Sequence, residues 1–177
     1  YKKINDNVGV PIIIYNIPSR SVIDMSVETM SRLFELKNII GVKDATGDLN
    51  RAEQQYKSMG KNFVMLTGED GNAIEFNKRG GQGCISVTAN VATKLCAEMQ
   101  NASLSRNDHN LQARSEEINR LLTPLNKSLF IESNPSPVKY AASLLGLAPE
   151  DVRLPLVKVT ESTKKAIKLS LGQANLI

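Results

Sequence analysis

Four short runs of apolar, β-branched residues recur in the first half of the chain, and they constrain its fold more than any other feature. The runs are PIIIYN at 11–16, NIIGVKD at 38–44, NFVMLTG at 62–68 and GCISVT at 83–88. The segments between them carry apolar residues three or four positions apart, which predicts helices. Because the runs are almost continuously apolar, they favour parallel strands covered by helices. The sequence therefore predicts an α/β fold with about four βα units.

Capping residues mark the ends of several predicted helices. Ser26 and Asp48 stand where an N-cap would precede the segments VETMSRLFELK and LNRAEQQY, because their side-chain oxygens can accept hydrogen bonds from the first turn. Gly60 and Gly80 follow helical stretches, as is typical of helix C-termini. These four residues predict where helices begin and end between the strands.

The pattern changes near residue 107, where strands give way to successive helical segments. These are NDHNLQARSEEINRLLTPLNKSLF, PVKYAASLLGL and TESTKKAIKLSLGQANL. We therefore predict βα units over residues 1–106 and a helical region over residues 107–177. Four βα units fit either an open doubly wound sheet or part of an eight-stranded barrel. A whole barrel needs ~250 residues, more than the 177 of this chain, so a barrel would be partial.

Composition excludes several classes of protein. Hydrophobic residues make up 41% and charged residues 23%, and no apolar run reaches the ~20 residues of a membrane helix, so we expect a soluble protein without a secretion signal. The net charge of +4 is spread along the chain, which argues against a nucleic-acid partner. Two cysteines, Cys84 and Cys96, are too few for a disulfide framework and favour a reducing cytoplasm. With His109 as the only histidine, we predict no metal site and no cofactor.

Candidate catalytic residues lie where the predicted strands end, since parallel α/β folds gather reactive groups at the C-terminal ends of their strands. Lys43 and Asp44 end the second run, and Lys43 directly follows the apolar residues IIGV. Burial there would favour its neutral amine, which can attack a ketone and form a Schiff base. Tyr15 ends the first run, and its phenol could carry protons if both side chains point to the same side. Alternatively, Lys43 extends to solvent and Tyr15 packs in the core.

Two neighbouring residues have plausible secondary roles. Arg20 follows the tyrosine strand and could pair with a substrate carboxylate, although a surface arginine is the ordinary interpretation. Asp44, next to Lys43, is interpreted as a cap of the following helix.

Five segments of the chain together resemble the dihydrodipicolinate synthase family, in that family's order. They are YNIPSR, GVKDATGDL, LTGED, GGQGCISVTANV and NPSPVKYA. The resemblance covers almost the whole chain and corresponds to the C-terminal portion of the family's sequence. It implies part of a (β/α)8 barrel followed by a helical domain, in a homo-oligomer that is a homotetramer in the family.

The resemblance also implies an activity and roles for particular residues. The family condenses pyruvate with L-aspartate 4-semialdehyde to 4-hydroxy-tetrahydrodipicolinate, a step of lysine biosynthesis through diaminopimelate. By motif, Lys43 would form the Schiff base and Tyr15 would relay protons. The pyruvate pocket would include Ile85 and Gly68. Arg20 would hold the carboxylate of the second substrate.

The chain departs from the family in two ways. Ser21 and Val22 stand where the family commonly has Thr-Gly, and the family's Gly-Thr-Thr-Gly-Glu motif is absent. That motif supplies threonines for pyruvate binding and proton relay, so we predict little or no synthase turnover from this chain by itself. Two alternatives stay open: a sister aldolase of the N-acetylneuraminate lyase or 2-keto-3-deoxygluconate aldolase type, and a non-catalytic scaffold.

Overall fold

The computed structural model describes residues 1–177, which form two compact units, residues 1–85 and 86–177. The predicted boundary at 106/107 lies between two helices of the second unit and stays a prediction. The elements of the first unit are α1 (Lys2–Asn5), β1 (Ile12–Asn16), α2 (Pro18–Ser21), α3 (Val27–Phe34), β2 (Ile39–Asp44), α4 (Leu49–Met59), β3 (Val64–Thr67) and α5 (Ala73–Lys78), with a 3-10 turn at Asp70–Asn72 before α5.

The sheet of the first unit is parallel, in the order β1-β2-β3. Three of the four predicted strands therefore form. The fourth run, 83–88, is wrong as a strand, because it pairs only through a single bridge between Thr67 and Cys84. Because β3 ends at Thr67, the fourth run has no further strand residues with which to pair. Hydrogen bonds of 3.0 Å from the Thr67 N–H to Gly83 and 2.9 Å from the Ile85 N–H to Thr67 hold this connection.

The two faces of the sheet differ, and we call them the covered face and the open face. The covered face bears Ile14, Val42 and Met65, and it packs under α3, α4 and α5 in one apolar cluster. The open face bears Ile13, Tyr15 and Lys43 together with residues of β3. Ile13 is 41% and Tyr15 51% exposed. Alternation of side chains along each strand produces this division, because successive residues point to opposite faces.

The predicted helix ends are largely confirmed. The side chain of Ser26 accepts a hydrogen bond from the Thr29 N–H, and that of Asp48 accepts one from the Asn50 N–H. Gly60 terminates α4 with φ +69°, a conformation that glycine adopts at low cost. Gly80 lies two residues beyond the end of α5, directly after the C-cap residue Arg79.

The second unit is helical, as predicted for the C-terminal part of the chain. Its elements are a 3-10 turn at Thr88–Asn90, α6 (Thr93–Leu104), α7 (His109–Ser128), α8 (Ser136–Leu144) and α9 (Glu161–Gln173). α7 packs on α6 and α9, and α8 packs on α9. The least exposed side chains of this core are Ile118, Leu122, Leu125, Leu129, Ala141, Ile167 and Leu171. None of the helices in the molecule combines the length and the apolar character that crossing a membrane requires.

Candidate active site

Tyr15 and Lys43 meet on the open face of the sheet. They are register partners at the C-terminal ends of β1 and β2. The Lys43 Nζ lies 4.0 Å from the centroid of the Tyr15 ring, a cation–π distance. The sequence predicted that this pair would be useful only if both side chains pointed to the same side, and they do. An amine that reaches a carbonyl here has a phenol beside it.

Gly68 leaves the space that the lysine side chain uses. A Cβ added at Gly68 would lie 3.2 Å from the Lys43 Cε and 2.8 Å from the Ala45 Cβ. Any side chain at this position would therefore displace Lys43 or the turn that follows it. The Gly68 N–H also donates to the Asp44 carbonyl at 2.7 Å, which joins the ends of β2 and β3.

Glu69 is an acidic group within electrostatic range of this lysine. Partial burial raises the pKa of the Glu69 carboxyl above its ordinary value, and the charge of Asp70 adds to the rise. The charge of Lys43 acts in the opposite direction. The end of β3 therefore brings a carboxyl with an increased proton affinity close to the amine.

The other two predicted site residues lie on neighbouring segments. Ile85 is 44% exposed and follows the bridge to β3, so its backbone stands beside the strand ends. Arg20 lies in α2, the short helix that leaves the end of β1, and it is exposed. The structure therefore brings Lys43, Tyr15 and Gly68 into contact range. Ile85 and Arg20 lie on segments next to the ends of β3 and β1.

On the covered face lies a polar cluster, largely buried except at Asp24, that we call the strand-end network. Its members are Asn16, Asp24, Asp44, Arg51 and Gln55. Asp44 Oδ1 accepts from the Thr46 N–H at 2.9 Å and from its hydroxyl at 2.6 Å. Asp44 Oδ2 accepts from Arg51 Nε at 3.2 Å and Gln55 Nε2 at 2.7 Å. The interpretation of Asp44 as a helix cap is wrong, because Asp48 caps α4 and the Asp44 carboxylate bonds elsewhere.

The same network reaches β1. Asn16, 3% exposed, donates from Nδ2 to Asp24 Oδ1 at 2.9 Å and accepts from the Met25 N–H at 3.1 Å. Arg51 then donates to Asp24 Oδ2 at 3.3 Å and to the Met25 carbonyl at 2.6 Å. One arginine therefore joins the loop after β1 to the end of β2.

The sequence pattern did not predict Asn16, Arg51 or Gln55 as part of a site. A signal was present, because Arg51 and Gln55 lie four residues apart on the face of α4 that also buries Ala52. Polar residues on the buried side of a helix need polar partners, and Asp44 was the nearest strand-end candidate. No group of three or more His, Cys, Asp or Glu side chains in the molecule is arranged to hold a metal ion.

Comparison with known proteins gives a consistent result. The model of the dihydrodipicolinate synthetase family matches residues 1–174. The chain is 64% identical to the 4-hydroxy-tetrahydrodipicolinate synthase of Pelagibacter ubique, and the alignment covers 100% of this chain and 60% of that protein. It is 55% identical to the enzyme of the same name from Methylobacterium radiotolerans, over 100% of this chain and 58% of the relative. The chain therefore spans about three-fifths of the length of each relative. Its match to the C-terminal portion of the family's sequence stays a prediction.

Solved structures show the same relationship in three dimensions. The dihydrodipicolinate synthase of Aquifex aeolicus superposes with a TM-score of 0.93 at 36% identity, over 99% of this chain and 59% of that one. The chloride-inhibited enzyme of Acinetobacter baumannii, solved in complex with pyruvate, superposes with a TM-score of 0.94 at 36% identity, over 100% and 60%. The α/β fold predicted from the four apolar runs is thereby confirmed.

Proposed function

The chain belongs to the dihydrodipicolinate synthetase family, and from that premise we propose that it carries the Schiff-base lysine of a pyruvate aldolase. The reaction would condense pyruvate with L-aspartate 4-semialdehyde. One observation carries the proposal: Lys43 Nζ lies 4.0 Å from the Tyr15 ring at the C-terminal edge of a parallel sheet. The fold we propose is part of a (β/α)8 barrel over residues 1–106, whose interior is the open face, followed by a helical region over 107–177.

The chemistry begins at the lysine. The neutral Lys43 amine attacks the keto carbon of pyruvate, and the resulting carbinolamine loses water to give an iminium. The iminium accepts the electron pair left when the methyl carbon of pyruvate loses a proton, which forms an enamine. The enamine carbon then bonds to the aldehyde carbon of the semialdehyde, whose oxygen takes up a proton. The amino group of the semialdehyde portion attacks the re-formed iminium carbon and closes the ring, and the Lys43 amine leaves.

Neighbouring groups would assist these steps. The Tyr15 phenol would pass protons to and from the carbinolamine oxygen and the enamine carbon. The backbone at Ile85 and the space left by Gly68 would form the pyruvate pocket. Arg20 would pair with the carboxylate of the second substrate, as a guanidinium does with two parallel hydrogen bonds.

Trapping tests this function directly. The 177-residue chain is incubated with pyruvate, reduced with borohydride and mapped by mass spectrometry. We expect a reduced adduct at Lys43 and none there in the Lys43→Met chain, which keeps a long side chain without the amine. Exposed lysines such as Lys165 serve as internal controls. Equal labelling of Lys43 and the surface lysines in folded protein would contradict the proposal and would favour the scaffold alternative.

Turnover is a separate question from adduct formation. We expect the chain by itself to condense the two substrates at least ~100-fold more slowly than a full-length relative, because the absent threonine motif supplies proton relay and carboxylate contacts. Replacing pyruvate with N-acetylneuraminate or a 2-keto-3-deoxy sugar acid tests the sister-aldolase alternative. Faster release of pyruvate from either compound than condensation with the semialdehyde would move the assignment to that class.

Self-association is also part of the proposal. β1 is an edge strand of the sheet, with β2 on one side only, and such edges invite further strands. We expect a homodimer or larger homo-oligomer at micromolar concentration in sedimentation. A monomer at all concentrations would contradict this expectation and leave the Schiff-base assignment unaffected.

A further inference from the structure

Arg51 stands at the centre of the strand-end network, and none of its contacts is with the open face. We propose that Arg51 is a positioning residue: it fixes the ends of β1 and β2 relative to each other and thereby holds Tyr15 and Lys43 in contact. This inference rests on the proposed function and adds to it a residue that reaches no substrate.

The contacts of Arg51 span two segments, the end of β2 and the loop before α3. Its Nε donates to Asp44 at the end of β2, while its two terminal nitrogens donate to Asp24 and the Met25 carbonyl after β1. A guanidinium presents these donors in one rigid plane, so the acceptors at the end of β2 and in the loop before α3 are held at a fixed separation. The Arg51 side chain is only 12% exposed, which removes competition from water.

Two members of the network are the chain neighbours of Tyr15 and Lys43. Asn16 directly follows Tyr15, and Asp44 directly follows Lys43. The two polar residues are register partners, as are the two catalytic candidates. The Ala45 N–H also donates to the Asn16 carbonyl at 2.9 Å. A shift of one strand end relative to the other would therefore move Lys43 relative to Tyr15 by a similar distance.

Charge compensation alone would not require an arginine. The Asp44 carboxylate is 4% exposed and needs a nearby cation, but a lysine ammonium could provide one. A single ammonium cannot reproduce the fork that also reaches Asp24 and Met25. Arg51→Lys therefore separates charge compensation from positioning. It keeps a positive charge beside Asp44 and removes the bridge from β2 to the loop that contains Asp24 and Met25.

The experiment compares Arg51→Lys with Arg79→Lys in the full chain. Arg79 is a matched control, because it forms a 2.8 Å ion pair with Glu53 through one terminal nitrogen and lies in the same unit. The first readout is nuclear magnetic resonance of the unliganded protein, where the Lys43 side-chain methylenes should show a nuclear Overhauser contact with the Tyr15 ring. We expect the contact to be lost or strongly weakened in Arg51→Lys and kept in Arg79→Lys.

The second readout is the rate of borohydride-trapped adduct formation at Lys43 as pyruvate concentration rises. We expect Arg51→Lys to lower the saturated rate about 10- to 100-fold, since small misplacements of a reacting group have effects of this size. The half-saturating pyruvate concentration should remain close to that of Arg79→Lys, whereas the melting temperature should fall, because Asp24 and the Met25 carbonyl lose their donors. A residue that served stability alone would change the melting temperature and leave the saturated rate of the folded fraction unchanged.

A gentler variant guards against misfolding of Arg51→Lys. Asp24→Asn removes one acceptor at a side chain that is 49% exposed, and it keeps the shape of that side chain. We expect the same changes in smaller measure. An unchanged Lys43–Tyr15 contact in both variants would overturn the inference. If the unaltered chain forms no adduct at Lys43, the proposed function fails, whereas the resonance experiment still decides whether Arg51 positions the pair.

Discussion

The two faces of the sheet come from the same strands and yet differ in almost every property. Ile14, on the covered face, is 2% exposed, whereas its neighbour Ile13, on the open face, is 41% exposed. On the covered face, Asp44 accepts hydrogen bonds from three different residues. On the open face, Lys43 stands over an aromatic ring that is half exposed. The covered face therefore stabilises this unit, and the open face bears the residues to which we assign the proposed chemistry.

The largest contrast is expected between Asp44 and Lys43, adjacent residues on opposite faces. Asp44→Ala should lower the free energy of unfolding by about 3–5 kcal/mol, because it leaves Arg51 and Gln55 without their buried acceptor. Lys43→Ala should change it by no more than about 1 kcal/mol, as for most replacements outside a packed core, while abolishing the pyruvate adduct. Urea denaturation and borohydride trapping measure the two effects. Equal losses of stability in the two variants would contradict the inference that the covered face stabilises this unit more than the open face does.

A second contrast compares two isoleucines of β1. Ile14→Ala should destabilise the protein by about 2–5 kcal/mol, because it leaves a cavity in the apolar cluster. Ile13→Ala should have a clearly smaller effect, since much of that side chain is already in water. Both are measured by denaturant titration at low protein concentration. If the Ile13 effect grows with protein concentration, another copy of the chain covers the open face.

A third prediction concerns strain where the chain leaves the end of β1. Val22 has φ +63° and is 90% exposed. A left-handed backbone costs an L-residue ~1–2 kcal/mol, and glycine is free of that cost. We therefore expect Val22→Gly to stabilise the protein by up to about 1 kcal/mol, after the greater flexibility of glycine in the unfolded chain is subtracted. Ile23→Gly, next to it, should be neutral or destabilising in the same thermal unfolding experiment.

The smallest effect is expected at Glu69 and depends on pH. Its pKa is raised in the folded protein, so the folded state holds the proton more tightly than the unfolded state does. The stability from this group is present below the ordinary pKa of glutamate and is lost as pH rises through the folded value. Glu69→Gln should therefore match the unaltered chain near pH 4 and be more stable at pH 7, by well under about 1 kcal/mol because solvent screens the group.

The control for this pH dependence is Glu35→Gln, an exposed position at the end of α3. Denaturant titrations of both variants at several pH values give the comparison. A Glu69→Gln advantage that appears at pH 4 and vanishes at pH 7 would have the wrong sign and would contradict the raised pKa.

The sequence predicted the fold well wherever local pattern determines structure. The first three apolar runs contain the strands β1, β2 and β3, and Ser26 and Asp48 cap helices, because apolar periodicity and side-chain capping act over a few residues. The 83–88 run failed as a strand because pairing depends on where the neighbouring strand ends, which no local pattern contains. The cysteines form no disulfide.

The candidate site was predictable to the extent that strand ends determine it. Lys43 and Tyr15 could be named from their positions, and parallel register places them together. The strand-end network could not, because Arg51 is far from Asp24 in sequence and the bond between them depends on how α4 lies against the strands. Asp44 could be misinterpreted for the same reason: a carboxylate before a helix resembles a cap until its actual partners are known.

The alternation of β2 has a consequence for insertions and deletions. Lys43 and Asp44 occupy opposite faces because Lys43 lies one residue, and Asp44 two residues, after Val42 of the covered face. Losing or gaining one residue between Gly41 and Lys43 would turn the ammonium toward Arg51 and the carboxylate toward Tyr15. Both groups would then meet the wrong surroundings at once. A change of length in this strand should therefore be more damaging than a conservative substitution of one of its apolar residues.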